Sequence, residues 1–73
     1  MFDFKDFTEE IRKFDYMKDV EVTEDAFETC LDNWQVFSEE DPEGYPDPLR
    51  SGRETFGAFV SWCAENWEIE LGG

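Results

Sequence analysis

Histidine is absent from this 73-residue chain, and basic residues number only 6 against 20 acids. Without an imidazole there is no neutral-pH general base of that kind, no histidine-containing catalytic triad and no histidine-ligated zinc site. Cysteine is scarce too: Cys30 and Cys63 fall short of a four-thiolate metal site. Both sit on the inner faces of amphipathic stretches, so buried free thiols are expected, with a bridge between two helices as the alternative in an oxidising setting. No run approaches the about 20 apolar residues of a membrane span. Met1-Phe2-Asp3-Phe4-Lys5 puts an acid where a targeting signal needs a basic region and an apolar run, and a cytoplasmic location is expected. Proline is confined to positions 42, 46 and 48, which leaves the rest of the chain open to helix.

What is present is aromatic and acidic. A chain this short makes one domain, 1–73, near the lower limit for folding without a staple, because it buries only about 60% of its unfolded surface. Eight Phe, three Trp and two Tyr supply a dense core for it. The net charge of -14 works against that core through self-repulsion, and it excludes nucleic acid and anionic membrane as direct partners.

Phe4, Phe7, Ile11 and Phe14 recur at helical spacing and predict a first helix from about Lys5 to Lys18, with Asp6 and Glu9 capping its start and Glu9 meeting Arg12 and Lys13. Residues 1–19 hold six acids and four bases, a net of -2. Residues 20–73 hold fourteen acids and two bases, a net of -12, so the charge is concentrated. Asp19-Val20-Glu21-Val22 alternates as a short extended piece would. Thr23 then reads as the N-cap of a second helix over about 23–38, with Phe27, Cys30, Leu31, Trp34 and Phe37 inward. The prolines and Gly44 interrupt it with a long acidic loop whose Tyr45 and Leu49 either tuck onto the core or leave the loop free for function. A third helix over about 52–68 is expected from the Ser51/Glu54 capping box, with Phe56, Phe59, Val60, Cys63 and Trp67 inward. Trp62 lies about 120° from that stripe's centre. Either a small core wraps far enough to cover it, or it anchors an interface with a second copy or a target; the first is the expectation. The fold class is therefore mainly α: three helices with a long acidic, proline-rich loop between the second and third.

The candidate functional surface lies in the second helix and the loop after it. Glu21, Asp25, Glu28 and Asp32 follow one another at spacings of four, three and four, all of one sign, although like charges so spaced repel by about 0.2–0.5 kcal/mol per pair. Glu24, Glu39, Glu40, Asp41, Glu43 and Asp47 extend the acidity, and with Trp62 they complete the expected partner-binding set. Carboxylate pairs can serve glycoside hydrolysis, but only in a cleft with split pKa values, for which so small a domain has little room; no enzyme is expected. Asp41, Glu43 and Asp47 lack the ligand order of a helix-loop-helix calcium site, so no metal and no cofactor is expected.

Carboxylates one helical turn apart stand about 5–6 Å from each other along the axis, on the scale of successive phosphates on a nucleic-acid strand. Such a row suits a protein with a positive groove, where it docks in place of nucleic acid. In its small size, acidity and aromatic content the chain resembles the inhibitors that phages and mobile elements direct against restriction enzymes, CRISPR complexes and uracil-DNA glycosylase. Glu40-Asp41-Pro42-Glu43 and Glu43-Gly44-Tyr45-Pro46 are similar to a piece of the plasmid antirestriction proteins called ArdA. The rest of the chain does not follow that family or its length, and no residue role transfers. The resemblance implies a DNA-mimic inhibitor acting in the cytoplasm of a host cell if phage-encoded. Two other classes stand beside it: an adaptor that binds a basic partner without mimicry, and a protein of a salt-loving organism whose acidity serves solubility.

Overall fold

The computed structural model describes residues 1–67, and these form a mainly helical body. Helix α1 spans Phe4–Ile11, α2 spans Glu24–Glu40 and α3 spans Arg53–Glu65, with one 3-10 turn at Asp15–Met17. The Cα radius of gyration, 11.5 Å, is close to the about 11 Å of a well-packed chain of this length. The predicted last helical positions 68 and 69 lie outside the described residues.

Helices α1 and α2 begin where a side chain satisfies a free amide. Asp3, not Asp6, caps α1: its carboxylate accepts from the Asp6 amide at 3.1 Å, while the Asp6 carboxylate accepts from the Asp3 amide at 3.2 Å. Both Asp3/Asp6 and Asp6/Glu9 fit an acid-x-x-acid pattern, but only the earlier one lets Phe4 join the apolar stripe. Helix α1 stops at Ile11, seven residues before the expected end. Continued helix would leave Met17 about 90° off the stripe; the break at Phe14, which is extended, instead buries Met17 to 2% exposure. The Arg12 guanidinium closes this corner by donating to the Lys18 carbonyl at 3.0 Å. Accordingly Glu9 does not meet Arg12 and Lys13. The neighbouring Glu10 does the pairing, with Lys13 at 3.0 Å and Arg53 of α3 at 3.6 Å.

Helix α2 starts as expected, with the Thr23 hydroxyl accepting from the Ala26 amide at 3.2 Å. Helix α3 does not use the Ser51/Glu54 box. Its N-cap is Gly52, at φ 105°, with no side-chain cap bond. That backbone region is essentially restricted to glycine. Gly52→Ala should cost about 1–2 kcal/mol, strain less the gain from a stiffer unfolded chain. Gly57→Ala, inside α3 with open space at its Cβ position, should stabilise by about 0.5–1 kcal/mol. Opposite shifts of the urea midpoint check the pair; equal shifts would place the strain elsewhere.

The core is built from the three stripes. Phe7, Ile11, Phe27, Cys30, Trp34, Phe56, Phe59, Val60, Cys63 and Trp67 are all buried. Phe7 bridges Phe27 and Phe59, at ring-centre distances of 4.9 and 5.8 Å, so one side chain ties α1 to both other helices. Phe2 stacks on Phe56 at 4.2 Å, and its amide donates to the Leu49 carbonyl at 3.0 Å, which pins the N-terminal residues across the loop. Val20 and Val22 rest on the core while Glu21 faces solvent, although no strand forms among the described residues.

Cys30 and Cys63 are buried thiols from facing helices, not joined by a disulfide. Burial, reinforced by the Cys30 side chain beside it, pushes the Cys63 thiol far up from its ordinary value. Unfolded thiols ionise near pH 8.5. Above that pH the unfolded chain loses a proton that folded Cys63 keeps, so stability falls as pH rises. The wild type should lose about 1.4 kcal/mol per pH unit more than Cys63→Val above that point. Urea titrations of the two from pH 7 to 10 measure the difference; parallel curves would mean that Cys63 does not resist ionisation.

Candidate functional site

Helix α2 holds six acids and no base in its 17 residues. Their distribution follows from the inner stripe. Once Phe27, Cys30 and Trp34 face the core, Asp25, Glu28, Asp32 and Glu39 fall within a sector of about 60° on the outside. Gln35 lies in that same row, since 28, 32, 35 and 39 are spaced four, three and four. Glu24 and Glu40 flank the row on opposite sides. Glu21 precedes the helix, Asp41 is its C-cap, and Glu43 and Asp47 lie in the loop. All ten of these acids are exposed.

Two features make the row costly. The described ion pairs involve Glu10, Asp15 and Asp47, so among the described residues no cation neutralises an acid of α2. Glu39 and Glu40 also occupy the last turn, where the helix dipole disfavours an anion by about 0.3–1 kcal/mol. Glu24 and Asp25, in the first turn, are on the favourable end.

The loop from Asp41 to Gly52 tucks back onto α2. The Trp34 indole nitrogen donates to the Pro46 carbonyl at 2.9 Å, and the Ser38 hydroxyl donates to the Tyr45 carbonyl. Asp41 folds the first corner: its carboxylate accepts from the Gly44 amide at 3.2 Å and its carbonyl from the Tyr45 amide at 2.9 Å. Asp47 folds the second, accepting from the Leu49 amide at 3.0 Å. Between α2 and this loop lies a groove of about 400 Å³ lined by Leu31, Trp34, Gln35, Ser38, Asp47, Pro48 and Leu49. Sequence reasoning missed it. The Leu31-Gln35-Ser38 spacing was visible, but the position of Pro48 and Leu49 depends on the Trp34 and Ser38 bonds across the loop.

Trp62 sits elsewhere. It is half-buried and packs edge-on against Trp34 at 5.8 Å and Phe37 at 5.7 Å, so the core reaches round to cover part of it. Phe37 is about 150° round α2 from the centre of the acid row, so nine of the predicted acids lie on α2 or in its loop, Glu21 lies just before the helix, and Trp62 sits away from the row. Among the described residues no three acids or thiols converge as a metal-ligand set, and no helix is long and apolar enough to cross a membrane. No family model, curated protein or solved structure matches the chain.

Proposed function

We propose that this chain is an acidic nucleic-acid mimic that occupies the positive groove of a DNA- or RNA-binding protein, such as a restriction or CRISPR complex or a repair enzyme. The observation that supports this reading is the exposed, unpaired acid row of α2, carried through to a helix end that disfavours it. A run of like charges with no neutralising cation, continued into the last turn, is explained by a partner that supplies the missing positive charge. The one-turn spacing from Asp25 through Glu28 to Asp32 suits a surface built to follow phosphates. In the same reading the loop's Asp41, Glu43 and Asp47 continue the negative track past the helix, and the chain acts in the cytoplasm of the cell that holds the target.

Competition tests it. Candidate nucleic-acid-binding proteins, immobilised and challenged with the chain, should release it to short duplex DNA, and the affinity should fall steeply as salt rises. A target that holds the chain and duplex DNA together would make it an adaptor with no mimicry. Loss of helix content at low salt without any partner would favour a halophilic protein.

A further inference from the structure

We infer that the groove between α2 and the loop is a receptor for an arginine side chain of a basic protein partner. This deepens the reading of the α2 acid row as a partner-facing surface and rests on it. The groove's floor is apolar, formed by Leu31, the Trp34 ring, Pro48 and Leu49, and its polar groups are Gln35, Ser38 and the Asp47 carboxylate. Gln35 joins the groove to the row, because it stands between Asp32 and Glu39 on the same helix face. A side chain entering here meets hydrocarbon along its length, the Asp47 carboxylate on the loop side and, on the helix side, Gln35, which adjoins the acid row.

That chemistry selects the occupant. A second copy of this chain carries the same -14 charge and is repelled, and an anionic ligand meets the same field. A long cationic side chain lays its methylenes on apolar surface and keeps its head at the polar rim. The guanidinium fits better than an ammonium: it is planar, weakly hydrated and donates in a fork, which suits the Asp47 carboxylate and the Gln35 amide oxygen. Asp47 has acceptor capacity for it. One of its oxygens takes the Leu49 amide at 3.0 Å, while the other is only loosely approached by Arg50 at 4.0 Å, a pair exposed on both sides that a partner's guanidinium displaces.

The test uses the full chain and two nine-residue peptides, one alternating arginine with glycine and one alternating lysine with glycine. The arginine peptide should shift the methyl resonances of Leu31 and Leu49 and bind at least tenfold more tightly than the lysine peptide. Gln35→Trp, an uncharged change at an exposed position, should cover the groove and weaken the arginine peptide tenfold or more, while Ala58→Trp, equally uncharged but at an exposed position of α3 outside the groove, should stay within threefold of wild type. Circular dichroism of both variants shows whether helix content is kept. Unmoved Leu31 and Leu49 methyls, no binding of the arginine peptide, or full affinity in a folded Gln35→Trp would overturn the assignment. Equal binding of the lysine peptide would overturn the choice of arginine. Failure of DNA competition with the arginine results intact would sink the mimicry reading and leave the groove standing, so the two can fail separately.

Discussion

Truncating Trp34 to alanine should cost about 3–5 kcal/mol, the range for removing a large buried aromatic side chain. The total stability of a 73-residue domain is roughly 4–11 kcal/mol, so this one change takes the chain to the edge of unfolding. The effect is large because Trp34 serves three neighbours at once. Its ring packs edge-on against Phe59 at 5.5 Å in the centre of the core, against Tyr45 at 5.1 Å on the loop and against Trp62 at 5.8 Å on α3. Its indole nitrogen also fixes Pro46. Trp34→Phe keeps a ring but loses that bond, and should cost about 1–2 kcal/mol from the hydrogen bond and the smaller ring. The two variants also separate core from loop. Trp34→Phe should loosen the loop, seen as faster amide exchange at Tyr45 and Leu49, while exchange in α1 is unchanged. If Trp34→Ala melts within a few degrees of wild type, the loop and α3 do not depend on this ring.

The legibility of the fold in the sequence varied with how local each cause is. The three inward stripes were readable because a helical period of 3.6 residues repeats visibly, and Phe56, Phe59, Val60 and Cys63 are indeed buried together; Phe37, expected inward at the end of the α2 stripe, is instead exposed at its edge. The Thr23 cap was readable for the same reason, since a hydroxyl three residues before a free amide is a local matter. The end of α1 was not. Phe14 rests against the core both in a continued helix and after a break, and the choice between them depends on burying Met17, a tertiary demand. Gly52 is hidden as the α3 cap because Ser51 offers a common capping pattern, whereas the chain enters α3 through a positive φ. Trp62 admits two readings in the sequence because its covering neighbours, Trp34 and Phe37, come from another helix. The acid row was legible along α2, but its continuity with the groove depends on where the loop lands.

Neutralising Asp25, Glu28, Asp32, Glu40 and Asp41 to Asn or Gln should abolish target binding while leaving the fold intact or firmer. None of these side chains lies on the apolar stripe, and all are exposed. Relief of like-charge repulsion contributes some tenths of a kcal/mol per neighbouring pair, and removing Glu40 relieves the unfavourable end of the α2 dipole. Asp41 carries an opposing cost, because its carboxylate holds the Gly44 amide; Asn keeps an acceptor oxygen there, which is why Asn is the substitution at that position. A comparison variant with Asp3, Asp6 and Glu9 neutralised removes three charges from α1 and its cap, against five in the first variant. It should bind nearly as wild type, though Asp3 and Asp6 form the α1 capping box and this variant is expected to be the less stable of the two. The pair thus predicts opposite orders: the α2 variant is more stable and inactive, the α1 variant less stable and active. Equal losses of binding would reduce the interaction to non-specific attraction of a -14 body for any cation. Full binding by the α2 variant, together with resistance to duplex DNA, would rule out the acid row as the docking surface and turn attention to the exposed faces of Val36 and Phe37 beside Trp62.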